Sequence, residues 1–215
     1  MDIAGYILLI PALLLSLSFH EYMHGRASYI LGDPTPKIMG RLTMNPLAHL
    51  DVVGTLVLLI TRVMGWAKPV PINPRYYKNP RKGMMIVGLA GPMANIFLAS
   101  FFAIILRIYS SQTGVIIENL SIYSRGPVSD ITILITNFLM LTIMVNLGLA
   151  CFNLLPIPPL DGSKILRGFL PSSFDYYLNK LEGPAGMLFI FALIFLGVIE
   201  KILWPVINTF LNILV

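Results

Sequence analysis

Apolar residues run through this chain in long blocks separated by short polar breaks. The first block covers about residues 3–19 and continues helically into His20-Glu21-Tyr22-Met23-His24. A helix rises 1.5 Å per residue, so about 20 residues cross a hydrocarbon core, and this polar cluster falls near one end of the first span. Gly32-Asp33-Pro34 predicts the end of that helix. Blocks at 84–108 and 131–155 predict two further spans, and 186–213 predicts a last one, broken at Pro205. Residues 52–66 are apolar but short, and Arg62 interrupts them. They fit a thin span, a re-entrant helix or a buried hairpin. Residues 35–50 and 109–129 read as polar loops, and 163–184 as a mixed polar stretch. In Trp66-Ala67-Lys68-Pro69-Val70-Pro71-Ile72-Asn73-Pro74, Val70 and Ile72 alternate with prolines. That pattern excludes a helix or a central strand and allows an extended edge strand.

Composition supports the membrane reading. Charged residues make up 12% of the 215 positions, half of the roughly 25% usual in soluble domains, and the mean hydropathy is +0.80. The predicted fold is an all-α integral membrane protein, a bundle of four to six transmembrane helices with one short extended segment. Residues 1–215 are expected to form a single membrane-embedded unit, with a core at 3–168 and the C-terminal span at 186–213. The start Met1-Asp2-Ile3 has no basic residue and no cleavage site follows, so the first helix is read as retained. Cys151 is the single cysteine and lies in an apolar run, where it is read as packing. The basic residues form no dense stripe, which argues against nucleic acid as a partner.

Their distribution instead predicts orientation, because basic residues gather on the cytoplasmic side. Segment 26–83 holds Arg26, Lys37, Arg41, Arg62, Lys68, Arg75, Lys78, Arg81 and Lys82, and 162–185 holds Lys164, Arg167 and Lys180, whereas 109–129 holds only Arg125. The simplest arrangement puts the first two segments in the cytoplasm and requires that 52–66 does not cross.

His20-Glu21-x-x-His24 is the segment with a chemical mechanism. Residues four apart on a helix lie about 40° apart around its axis, so His20 and His24 can present two imidazoles to one metal. Glu21, about 100° round from His20, can reach an attacking water without being a ligand, and zinc can lower the pKa of such a water to about 7. Two histidines at this spacing could also be packing or interfacial residues, but ionisable groups at membrane depth are costly and usually functional. A catalytic zinc needs a third protein ligand, and His49 and Asp161 are the candidates. If 52–66 does not cross, Asp161 lies at the same membrane face as His20 and His24. The Asp161-Gly162 pair reads equally well as a turn or helix start.

Three motifs in this order, His20-Glu21-x-x-His24, Gly91-Pro92-x-Ala94-Asn95 and Asn153-x-x-Pro156-x-Pro158-Pro159-Leu160-Asp161-Gly162, resemble the site-2 protease family of intramembrane metalloproteases. Leu42-Thr43-Met44-Asn45-Pro46-Leu47-Ala48-His49-Leu50-Asp51 resembles its small subgroup without a PDZ domain. The resemblance covers about residues 15–168. It implies one Zn2+ held by His20, His24 and Asp161, with Glu21 as general base. It also implies that Asn153 contacts substrate backbone or the oxyanion, a role that competes with a helix-capping or interhelical hydrogen bond. His49 has no place among the family's three ligands, though the subgroup carries it, and is read as a residue behind the ligands, a transient fourth ligand, a substrate contact or an interfacial loop histidine. Asn95 is assigned to helix packing beside the Gly-Pro pair.

A helical substrate must be unwound before hydrolysis, and an edge strand can hold it extended by strand addition. Val70 and Ile72 in segment 66–73 are the candidates for that clamp, against a plain proline-rich linker. The expected partners are a membrane-protein substrate helix and the lipid bilayer. The expected location is the plasma membrane of a prokaryote, with the site towards the cytoplasm. A metal carrier or sensor, and a catalytically silent scaffold, are the alternatives; neither needs Glu21 as a base.

Overall fold

The computed structural model describes residues 3–61, 65–118, 121–124, 126 and 128–215. Arg62 and Arg125, both used in the orientation count, lie outside the described residues. In chain order the helices are α1 Ile3–Ile30, α2 Thr35–Ile38, α3 Val52–Thr61, α4 Pro80–Thr113, α5 Asp130–Asn153, α6 Asp161–Phe169, α7 Asp175–Lys180, α8 Pro184–Phe195 and α9 Val198–Leu214. Among the described residues, α1, α4 and α5 are long and apolar enough to cross a membrane, and a fourth crossing can be built from a pair bent by 72°, Ser172–Lys180 with Pro184–Phe195. At 28, 34 and 24 residues, the three spans extend about 42, 51 and 36 Å, more than the roughly 30 Å hydrocarbon core.

Local chemistry sets the helix ends. The Asn79 side chain accepts from the Lys82 N–H and Pro80 opens α4, which Gly114 closes at φ +72°. Ser129 caps α5 by accepting from the Thr132 N–H. The outer stripe of α4, Phe97, Phe101, Ile104 and Ile108, is exposed at helical spacing, as a lipid-facing surface requires. Its inner stripe is small: Gly88, Gly91 and Ala94 with Asn95, buried, which lets α1, α5 and α6 pack closely against it. Ala99, Ala103 and Leu106 of α4 meet Leu139, Met140, Ile143 and Leu147 of α5 and Leu211 of α9 in the apolar core.

The described part of the ambiguous segment 52–66 is too short to cross. Leu50 and Ala67 form an antiparallel bridge, and the Lys68 N–H donates to the His49 carbonyl at 2.8 Å. Both ends of the segment therefore leave from one place. Its helix, α3, has 10 residues and spans only about 15 Å. A Cβ on Gly54 would lie 2.9 Å from the Trp66 ring, so glycine there lets the returning chain close the hairpin.

Three expectations change. The break in the last apolar block comes at Gly197, φ +68°, and Pro205 lies inside α9. Residues 109–129 are not a plain loop, because α4 runs on to Thr113 and an antiparallel hairpin follows, β1 Val115–Glu118 with β2 Ser121–Ser124. The loop 35–50 contains α2 and a 3-10 turn at Pro46–Ala48. All three depend on contacts or short-range turns that hydropathy does not register.

Candidate metal centre

α1 brings His20 and His24 to its inner face, and the start of α6 brings Asp161 to meet them. Asp161 Oδ2 lies 3.1 Å from His20 Nε2 and 3.0 Å from His24 Nε2, and the two Nε2 atoms are 3.0 Å apart. All three residues are buried. The far nitrogen of each ring is held from behind: His24 Nδ1 sits 2.7 Å from the Val87 carbonyl oxygen, and His20 Nδ1 sits 2.6 Å from Asn95 Oδ1. A carbonyl only accepts, so His24 Nδ1 carries the hydrogen and its Nε2 carries a lone pair.

Two imidazole nitrogens and a carboxylate oxygen thus point at one another with electron pairs. Nothing in a neutral protein satisfies that arrangement, but a cation does. Ligand atoms about 2.0 Å from a tetrahedral zinc lie about 3.3 Å apart, close to the spacing here. The donor set, two nitrogens and one oxygen, fits zinc, and the hydrogen bonds behind the rings are of the kind that orient metal-bound histidines. Burial works against the charge on Asp161. Positive charge beside it, the Lys164 ammonium included, outweighs that burial, so the carboxyl stays below its usual range. This carboxylate is arranged to meet positive charge, whether proton or metal. Lys164 Nζ binds the other oxygen at 2.8 Å.

Glycines make room for the cluster. A Cβ on Gly91 would come within 2.6 Å of the His20 ring and closer still to His24 Nε2. One on Gly162 would run into the Leu154 and Leu155 carbonyls, so only glycine lets the chain turn back over the end of α5.

Glu21 is not one of the three donors, as its position on the helix predicts. Its Oε2 accepts from the Val70 backbone N–H at 2.9 Å. The extended segment therefore does lie beside the site, though among the described residues it is paired only at Leu50–Ala67 and not as part of a sheet. Val70 is buried, and its side chain faces Gly25 of α1; Ile72 is half-buried. The segment is tied down again at Asn73, whose N–H donates to Asp33 Oδ2 at 2.7 Å. Asp33 is fully buried and also accepts from Ser28 Oγ and the Thr35 N–H; Ser28 Oγ in turn lies 2.7 Å from the Tyr77 hydroxyl. Burial opposes the Asp33 charge, but these hydrogen bonds outweigh it and hold its carboxyl below the usual range. Burial pushes the Tyr77 hydroxyl up.

The other candidates lie apart from the donors. His49 is outside the group; its Nε2 donates to the Thr43 carbonyl at 2.9 Å, which braces its own loop, and its buried Nδ1 has no partner among the described residues. The Asn153 amide turns back to the Leu149 carbonyl at 3.0 Å, a bond within α5. Asn95 corrects the packing assignment, because it holds His20. In sequence it looks like any small polar residue after a Gly-Pro pair; its spacing of four from Gly91, which faces the rings, is the signal that was there.

The sequence profile of peptidase family M50 matches residues 8–197. The chain belongs to peptidase family M50. This is the site-2 protease family that its motifs resemble. It is 36% identical over 201 residues to "Putative zinc metalloprotease YwhC" of Bacillus subtilis, covering 93% of this chain and 85% of that protein. It is 31% identical over 170 residues to "Putative zinc metalloprotease Rip2" of Mycolicibacterium smegmatis, covering 77% of this chain and 58% of that one. The protein of the same name from Mycobacterium tuberculosis is 27% identical over 199 residues, with 90% and 66% covered. No solved structure matches the chain.

Proposed function

We propose that this M50 protein is an intramembrane zinc endopeptidase that hydrolyses peptide bonds of membrane-spanning or membrane-proximal substrates. The observation that carries the reading is the convergence of His20 Nε2, His24 Nε2 and Asp161 Oδ2 within 3.1 Å of one another, all buried. Zinc held there supplies a Lewis acid that polarises the scissile carbonyl and acidifies the attacking water.

The chain's own residues do the rest. Glu21 Oε2 is held by the Val70 N–H, so its other oxygen is the one left to take a proton from the attacking water. As the water oxygen bonds to the carbonyl carbon and the C–N bond breaks, Glu21 returns that proton to the leaving amine. Segment 66–73 holds the substrate extended beside Glu21, with Ile72 the position between its two tethers. Asn153 and His49 act at the substrate's backbone, outside the ligand set. In a prokaryotic cell the protein sits in the plasma membrane with this site towards the cytoplasm, as the basic loops favour.

The test is cleavage of a reporter membrane helix by purified protein in detergent. Glu21→Gln keeps the shape and removes the base, and is expected to lower kcat by about 10^2–10^4-fold with zinc retained. Unchanged cleavage, or none in the wild type while zinc is bound, contradicts the proposal and favours a carrier or scaffold.

A further inference from the structure

Behind His20 lies a buried polar chain that the proposed chemistry does not use. Asn95 and Asn146 are both fully buried, as is Ser16. Amides at membrane depth are costly unless every group is paired, and here the pairing has a direction.

It starts from atoms that can only accept. Asn146 Nδ2 lies 2.8 Å from the Thr142 carbonyl oxygen and 2.8 Å from Ser16 Oγ. The Ser16 hydroxyl spends its hydrogen on the Ala12 carbonyl at 2.7 Å, so towards Asn146 it can only accept. Both contacts therefore need the NH2 end of the Asn146 amide, which turns Oδ1 towards Asn95. Asn95 Nδ2 donates to that oxygen at 2.8 Å and to the Ser16 carbonyl at 3.3 Å. The Asn95 amide is thereby fixed too, with Oδ1 facing His20 Nδ1 at 2.6 Å. An oxygen facing Nδ1 demands N–H there, which leaves the lone pair on Nε2, facing His24 and Asp161.

We propose that Asn146 is a positioning residue that sets the tautomer and ring orientation of His20 through Asn95, and so sets the affinity of the site for zinc. This rests on the metal-site reading above. With Asn146 removed, only the longer 3.3 Å bond to the Ser16 carbonyl still orients the Asn95 amide; in the flipped state its NH2 would face His20 Nδ1, put the hydrogen on Nε2 and take that lone pair away from the metal.

The experiment measures zinc affinity by competition with a chelator in detergent-purified full-length chain, with melting of the chelated protein as a check on folding. Asn146→Leu is expected to weaken zinc binding about 10–100-fold, as loss of such supporting hydrogen bonds does elsewhere. Thr136→Val, which alters another buried polar position on α5, is expected to leave affinity unchanged. Ser16→Ala removes one acceptor that orients Asn146 and is expected to weaken binding in the same direction by a smaller factor; it decides the matter if Asn146→Leu fails to fold. Wild-type protein that binds zinc with unaltered affinity in Asn146→Leu, or in Ser16→Ala when that is the deciding variant, overturns the inference. Equal losses in Thr136→Val and Asn146→Leu also overturn it. Wild-type protein that binds no zinc overturns the metal-site reading itself.

Discussion

The Val70 backbone N–H donates to Glu21 Oε2 at 2.9 Å, so the segment proposed to hold substrate also holds the proposed base. Pro69 and Pro71 flank Val70 and carry no N–H, which makes this the single backbone donor of the three residues. Val70→Pro removes it. A hydrogen bond to a charged group is worth about 1.5–3 kcal/mol, so kcat is expected to fall about 10–100-fold with zinc content unchanged. Replacing Val70 and Ile72 together with glycine tests the clamp. Cleavage is expected to fall, and unchanged cleavage by reporter assay removes the clamp from the account.

Gly91→Ala places a methyl group within 2.6 Å of the His20 ring. Neither imidazole can yield, because Asn95 and Val87 hold them from behind. Loss of bound zinc and of cleavage is expected, measured as metal per chain, while the outward change Phe97→Leu on the same helix is expected to leave both intact.

The Asp33 latch predicts a pH dependence. Its folded-state pKa lies below the ordinary value of about 3.8, so the carboxylate's contribution is present above that value and is lost as pH falls through the lower, folded-state one. Thermal stability attributable to Asp33, taken as wild type minus Asp33→Asn, is expected to be flat from about pH 7 to 4 and to shrink below. A difference that grows on acidification contradicts the latch.

Much of this was legible in the chain, and the parts that were not share a cause. A 3.6-residue period puts His20 and His24 on one face and Glu21 off it, so the pair and the base follow from helix geometry alone. The spans α1, α4 and α5 follow from run length. The choice between His49 and Asp161 needed the family's motifs, because His49 closes a 3-10 turn and Asp161 opens a short helix after a break, and no local pattern says which of the two meets α1. The hairpin closed by Leu50 and Ala67 was only one of three options, since pairing across an apolar stretch leaves no local mark. Asn146 went unnoticed for a related reason: one amide within an apolar helix reads as packing until its partners on α1 and α4 are known. Gly197 breaks the last block and Pro205 does not, because a proline is tolerated inside a membrane helix when neighbouring groups satisfy the freed carbonyl.

The central claim is that His20, His24 and Asp161 form one zinc site and His49 does not belong to it. Metal content per chain of detergent-purified protein tests this most directly, comparing wild type with Asp161→Ala and His49→Ala. The account predicts about one zinc in wild type and in His49→Ala, as for a site with three protein ligands, and loss of zinc in Asp161→Ala. Zinc that is absent from wild type, indifferent to Asp161 or dependent on His49 would contradict it.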